Sequence, residues 1–188
     1  MRKTVTQTLF IGAAAVLALT PVSVAFAEEV VCRGTIGQRT VDNVRVPPGR
    51  TCTLKGTRVQ GTVKVERNAS LKAVGVRVVG NIQAEGAANV TVRRASRVGG
   101  SIQIVQGESA TIVATRLNGD LLFDSNDGPL TASDNTMGGN LQAFQNTGGL
   151  SITENVIDGN LQCKENRPRP IGFGNVVEGN KEDQCKRL

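Results

Sequence analysis

Seven glycine-led segments recur along this chain at a nearly fixed pitch, and no other feature restricts the fold as strongly. Gly61-Thr-Val-Lys-Val65, Gly80-Asn-Ile-Gln-Ala84, Gly100-Ser-Ile-Gln-Ile104, Gly119-Asp-Leu-Leu-Phe123, Gly139-Asn-Leu-Gln-Ala143, Gly159-Asn-Leu-Gln-Cys163 and Gly179-Asn-Lys-Glu-Asp183 lie 19, 20, 19, 20, 20 and 20 residues apart. Asp42-Asn-Val-Arg-Val46 continues the series 19 residues upstream. A unit this short buries no apolar face alone, so successive units must stack to build a common core.

Aligned on the glycine, the residues alternate as strands do. Two positions on stand Val44, Val63, Ile82, Ile102, Leu121, Leu141 and Leu161, and four positions on stand Val46, Val65, Ala84, Ile104, Phe123, Ala143 and Cys163. These are the inward faces of a first strand. Cys52 and Leu54, Leu71 and Ala73, Ala110 and Ile112, Leu130 and Ala132, and Leu150 and Ile152 form a second. Val59, Val78, Val98, Leu117, Met137, Ile157 and Val177 end a third. Three short strands per unit, like stacked on like, predict an all-β chain folded as a single parallel β-helix of about seven coils. A left-handed helix would carry a strict hexapeptide period, which coils of 19 and 20 do not, so the right-handed form is expected. Val90 and Val92 sit one position early, which predicts a bulge or a shifted turn. At Pro168 to Phe173 the columns are expected to slip, because prolines cannot donate to the ladder. Asn135, Asn155 and Asn175 should stack at one corner and Asn140, Asn160 and Asn180 at another, holding turns.

Residues 1–27 read as a signal peptide. Arg2 and Lys3 are its basic start, Leu9 to Leu19 its apolar stretch and Ala25-Phe26-Ala27 its cleavage site. That stretch is shorter than the roughly 20 apolar residues a spanning helix needs, and no membrane span is expected after it. The expected layout is then a 28–41 N-terminal cap, a 42–180 β-helix and a 181–188 C-terminal cap. Loss of Arg2 and Lys3 lowers the formal charge from +6 to +4. An even set of four cysteines in an exported chain predicts two disulfides. Of the three possible pairings, Cys32–Cys52 and Cys163–Cys185 are preferred, since each pair lies within about one repeat at one end of the stack.

The strings Gly159-Asn-Leu-Gln-Cys-Lys-Glu-Asn166 and Gly179-Asn-Lys-Glu-Asp-Gln-Cys185, with Val46-Pro-Pro-Gly-Arg-Thr-Cys52 near the start, resemble those of a group of small exported bacterial proteins. The resemblance spans essentially the whole chain after residue 27. It implies a right-handed β-helix in a bacterial, exported setting, and it carries no activity and no functional residues.

The chain has no His, no Trp and no Tyr, and five Phe. It therefore lacks an imidazole base, a Ser-His-Asp triad and the usual aromatic platform for sugars or bases. Short turns leave no room for the long loops on which pectate-lyase-like enzymes of this fold build their sites, so no enzyme and no cofactor is expected. Asp124, Asn126 and Asp127 form one weak calcium-like string, without the bidentate glutamate of an EF-hand loop. The sharper feature is a column of Arg58, Arg77, Arg97 and Arg116, three residues before successive glycines and facing outward by alternation. Such a stripe fits an acidic polysaccharide or other anionic polymer rather than a specific nucleic acid sequence. The reading preferred for the column by itself is a solvated edge that discourages lateral sheet pairing. The column then turns to Thr136, Val156 and Val176, a change that can mark a contact face. The leading expectation is a non-enzymatic exported structural or binding protein of the cell surface or medium. The alternatives are a polysaccharide-acting enzyme and an end-to-end polymer.

Overall fold

The computed structural model describes residues 28–188; the expected signal peptide, 1–27, lies outside the described residues. Alternating side chains, hydrophobic inward and polar outward, fold the chain into 25 short strands arranged in three parallel sheets of nine, eight and eight. The first sheet runs from Glu29–Val31 to Lys181–Asp183, the second from Thr35–Ile36 to Ile171–Phe173, the third from Thr40–Val41 to Val176–Val177. Each strand pairs with its equivalents one coil away, giving a right-handed β-solenoid of about seven turns. The expected fold is the observed one.

Pairing joins like to like. Ile102 sits over Ile82 and under Leu121, and Leu121 sits under Leu141. The columns form one core, in which Val63, Ile82, Ile102, Leu121, Leu141 and Leu161 have no exposed surface. Both disulfides form, Cys32 with Cys52 and Cys163 with Cys185, one at each end. Each closes a loop of about 20 residues, worth about 3 kcal/mol in the chain-entropy view.

The ends differ in construction. Residues 28–41, expected as a cap, supply one strand to every sheet and form a shortened first coil. At the other end Lys181–Asp183 extends only the first sheet. The chain then turns across the core mouth, where Cys185 is buried, Leu188 packs on the core, and the Lys181 ammonium donates to the carbonyls of Asn175 and Leu188.

Of the two expected irregularities, the first is present as a shifted turn and the second is absent. Val90 and Val92 keep register with Leu71 and Ala73, and the extra residue is taken up in the next turn. There Arg94 and Ala95 both adopt left-handed backbone, at φ of 61° and 54°, where neighbouring coils use one such residue. In the last coil the columns do not slip: Ser151, Ile152 and Thr153 pair with Ile171, Gly172 and Phe173. Pro170 is buried and Gly172 takes the next inward place. A Cβ on Gly172 would lie 1.8 Å from the Ile152 carbonyl oxygen, so no other residue fits without a shift. Ile171 and Phe173 consequently face outward.

Polar ladders close the corners. The expected Asn135–Asn155–Asn175 stack is present and buried: Asn135 Nδ2 donates to Asn155 Oδ1 at 3.0 Å and Asn155 Nδ2 to Asn175 Oδ1 at 2.9 Å. Asn155 Nδ2 also donates to the carbonyl of Ala132, and its Oδ1 accepts from the backbone amide of Asn135. A second buried ladder, Asn126–Asn146–Asn166, ends on Gln184. Asn140, Asn160 and Asn180 form a different staircase. Here the side-chain oxygen of one residue accepts the backbone amide of the next coil, from Asn160 to Asn140 and from Asn180 to Asn160.

Three substitutions test this packing. Leu141→Ala removes the centre of a fully buried column and should lower unfolding free energy by about 2–5 kcal/mol in urea titrations. Asn155→Ala orphans several buried groups, each costing about 1–3 kcal/mol, and should destabilise by about 3 kcal/mol or more. Asn180→Ala, at the exposed end of its staircase, should stay within about 0.5 kcal/mol of the parent.

Candidate functional site

The third sheet sets the arginine column. Arg58 pairs with Arg77, Arg77 with Arg97 and Arg97 with Arg116 in unbroken register. Each is followed by a buried residue, Val59, Val78, Val98 or Leu117, and the alternation of the strand turns all four guanidinium groups to solvent. With coils about 4.8 Å apart, the column is about 15 Å long.

None of the four enters an ion pair among the described residues. Two unit charges at that spacing repel by about 0.9 kcal/mol in bulk water, so the column stores self-repulsion that a line of anions would reverse. Arg45 makes the contrast. Also on an outward strand position, it donates to Glu29 at 2.7 Å and lies 3.6 Å from Glu66, clamping the first coils together. The hydrogen bond it donates to the Glu29 carboxylate pushes its pKa up, with Coulombic attraction to Glu29 and Glu66 adding to the shift.

Beside the arginines runs an open groove of about 480 Å³, lined by Arg77, Arg97 and Arg116 on one side and by Val79, Gly99 and Asn118, each just past the end of the same strands. The floor is low because Gly99 has no side chain; a Cβ there would meet the Val79 carbonyl oxygen at 2.3 Å. The groove crosses successive coils, so an extended ligand in it runs along the solenoid axis and meets one guanidinium per coil.

The other sequence candidates are not brought together in this way. Asn126 is fully buried, donates to the Ile104 carbonyl at 3.0 Å and accepts from the Gly107 amide at 2.9 Å. It belongs to the inner ladder. Asp124 accepts from Ser125, and Asp127 from Thr147 one coil on. The three do not converge on a common point, and among the described residues no cluster of three or more acidic or cysteine side chains could hold a metal ion. On the first sheet Gln83 donates to Gln103, and Gln142 to Gln162, which donates to Glu182. These outward polar groups satisfy one another, whereas the arginines do not.

Sequence reading missed the Asn126–Asn146–Asn166 ladder and the groove floor. The ladder carried a signal, a strict spacing of 20 residues. The floor carried none, because Val79, Gly99 and Asn118 share no chemistry and are united only by their equivalent places in successive coils. Compared with protein-family models, with curated proteins and with solved structures, the chain matches none.

The stored repulsion is measurable. Arg97→Gln removes the charge flanked on both sides. It should raise stability by up to about 1 kcal/mol at 10 mM salt, where the screening length is about 30 Å. The gain should vanish near 1 M salt, where that length falls to about 3 Å.

Proposed function

We propose that this protein is a non-enzymatic exported binding protein whose third sheet holds a linear polyanion, an acidic polysaccharide in the first instance. The observation that carries the reading is the in-register column Arg58, Arg77, Arg97 and Arg116, unpaired among the described residues and running beside an open groove. Guanidinium groups suit carboxylates, sulfates and phosphates because they offer several donors in a planar fork. They stay protonated at all physiological pH, so they bind and screen charge but do not shuttle protons, which favours retention of a polymer over its cleavage. A backbone-like series of anions at a one-per-coil spacing is recognised without regard to monomer identity.

Export is supported by the two disulfides, which persist in oxidising compartments, and by the leader-like first 27 residues. Among the described residues no helix is long and apolar enough to cross a membrane. The bacterial setting rests on the resemblance of the C-terminal strings.

The test is titration of the protein with a linear polyuronate and a sulfated polysaccharide at several salt concentrations. Affinity should fall steeply with salt, since each neutralised anion releases counter-ions. Replacing Arg58, Arg77, Arg97 and Arg116 with Gln should abolish binding with the fold intact. An equal charge loss at Lys72, Lys164, Lys186 and Arg187 should leave most of it. Equal weakening by the two quadruple variants would overturn the reading in favour of diffuse surface charge. Reproducible depolymerisation by the pure protein would overturn its non-enzymatic part.

A further inference from the structure

Four of the six large hydrophobic residues exposed among the described residues gather at the C-terminal end, around one corner of the solenoid. Ile171 and Phe173, on the last strand of the second sheet, are 69% and 65% exposed. Val176 and Val156, on the last two strands of the third sheet, are 61% and 41% exposed. Among the described residues no further strand is stacked beside this patch. The second sheet stops at Ile171–Phe173 and the third at Val176–Val177, whereas Lys181–Asp183 extends only the first. Unpaired strand edges are templates for further pairing, and the devices that blunt them are sparse here. Pro168 and Pro170 precede the edge strand, but nothing within Ile171–Phe173 prevents pairing.

We propose that the occupant of this end is a second copy of the chain, joined tail to tail by antiparallel pairing of Ile171–Phe173 with itself about Gly172. Self-complementarity carries the proposal. A half-turn through Gly172 sets Ile171 of one copy opposite Phe173 of the other, twice, on the outward face, and aromatic–β-branched pairs of this kind stabilise sheets. Charge follows the same symmetry. Arg167 and Arg169 lie on the side where the edge strand begins, and Glu154 lies on the side where it ends, its Cγ 3.1 Å from the Cβ position of Gly174. All three are exposed. Antiparallel pairing brings the basic side of each copy to the acidic side of the other.

Shape agrees as well. The edge strand begins at the corner with the first sheet and ends at the corner with the third. Reversal therefore lays the Lys181–Asp183 strand of one copy, which extends only its first sheet, over the Val176–Val177 edge of the other. The contact is isologous and closes at two copies. Head-to-tail stacking would instead set Ile171 and Phe173 against the Thr35–Ile36 edge at the opposite end and would grow without limit.

The decisive measurement is sedimentation of the disulfide-bonded chain, without any polyanion, from about 10 μM to about 1 mM, because interfaces burying under about 1,200 Å² are weak. Mass should rise from one chain to two and stop there. Ile171→Lys with Phe173→Lys should hold the protein monomeric over the whole range with its thermal midpoint unchanged, since both side chains face solvent. Arg169→Glu should raise the dissociation constant at least tenfold, and adding Glu154→Arg should restore it by exchanging the two charges across the symmetry axis. A monomer at every concentration, growth beyond two chains, a dimer that survives the double lysine variant, or failure of the charge exchange would each overturn the proposal. The ladder arginines are untouched in every variant, so the result is independent of polyanion binding.

Discussion

Every coil of this protein exchanges its backbone hydrogen bonds with the coil before and the coil after, at one register from Glu29 to Asp183. This has two consequences. Beyond the shortened first coil a residue acquires its neighbours from positions 19 or 20 away, so chemistry repeated in sequence becomes chemistry lined up in space. The pairing also leaves no tolerance for slippage, because a shift of one residue would turn every Val, Ile and Leu of the inner columns to solvent. Hydrophobic burial therefore enforces the same register that the ladders require.

The buried asparagines make that register more specific. Asn155 satisfies its neighbours only when one asparagine lies directly before it and another directly after it, and the Asn126 series imposes the same condition at a different corner. A buried amide left without a partner costs about as much as a large core truncation, so these ladders penalise misaligned coils that apolar contacts alone would tolerate. They occupy the C-terminal half of the rod. In the N-terminal half the corresponding corner is filled by smaller groups, Thr57, Ser96 and Thr115, which bond to backbone instead. The arginine column lies on the same half as these smaller groups, so the charged face and the amide-stapled interior are carried by opposite ends of one stack.

The glycine pitch and the alternating columns made the fold legible before any coordinates, and the paired positions of Cys32, Cys52, Cys163 and Cys185 made both disulfides legible with it. The arginine column was equally plain, because strand alternation decides which side a residue faces. Two segments are placed by contacts that their local sequence does not show. Asp124, Asn126 and Asp127 resemble a ligand string because they are close in sequence, yet alternation and the turn divide them between surface and core. Ile171 and Phe173 were placed in a slipping segment because prolines precede them. Their outward position depends on Gly172 being the only residue that fits against the Ile152 carbonyl.

By itself the sequence determined what repeats: the coil length, the inward columns, the cysteine pairs and the alignment of Arg58, Arg77, Arg97 and Arg116. Each of these is set by local alternation and a constant spacing, quantities that are present in one dimension. Only the tertiary structure decided what depends on contact between unlike residues. Among the described residues the four column arginines have no ion-pair partner, while Arg45 is clamped between Glu29 and Glu66. A groove opens where Gly99 lies beside Val79 and Asn118. One end of the stack extends only its first sheet and leaves an apolar corner exposed. Those outcomes turn on side-chain reach and on which edge a terminal turn crosses, and neither is encoded in a period.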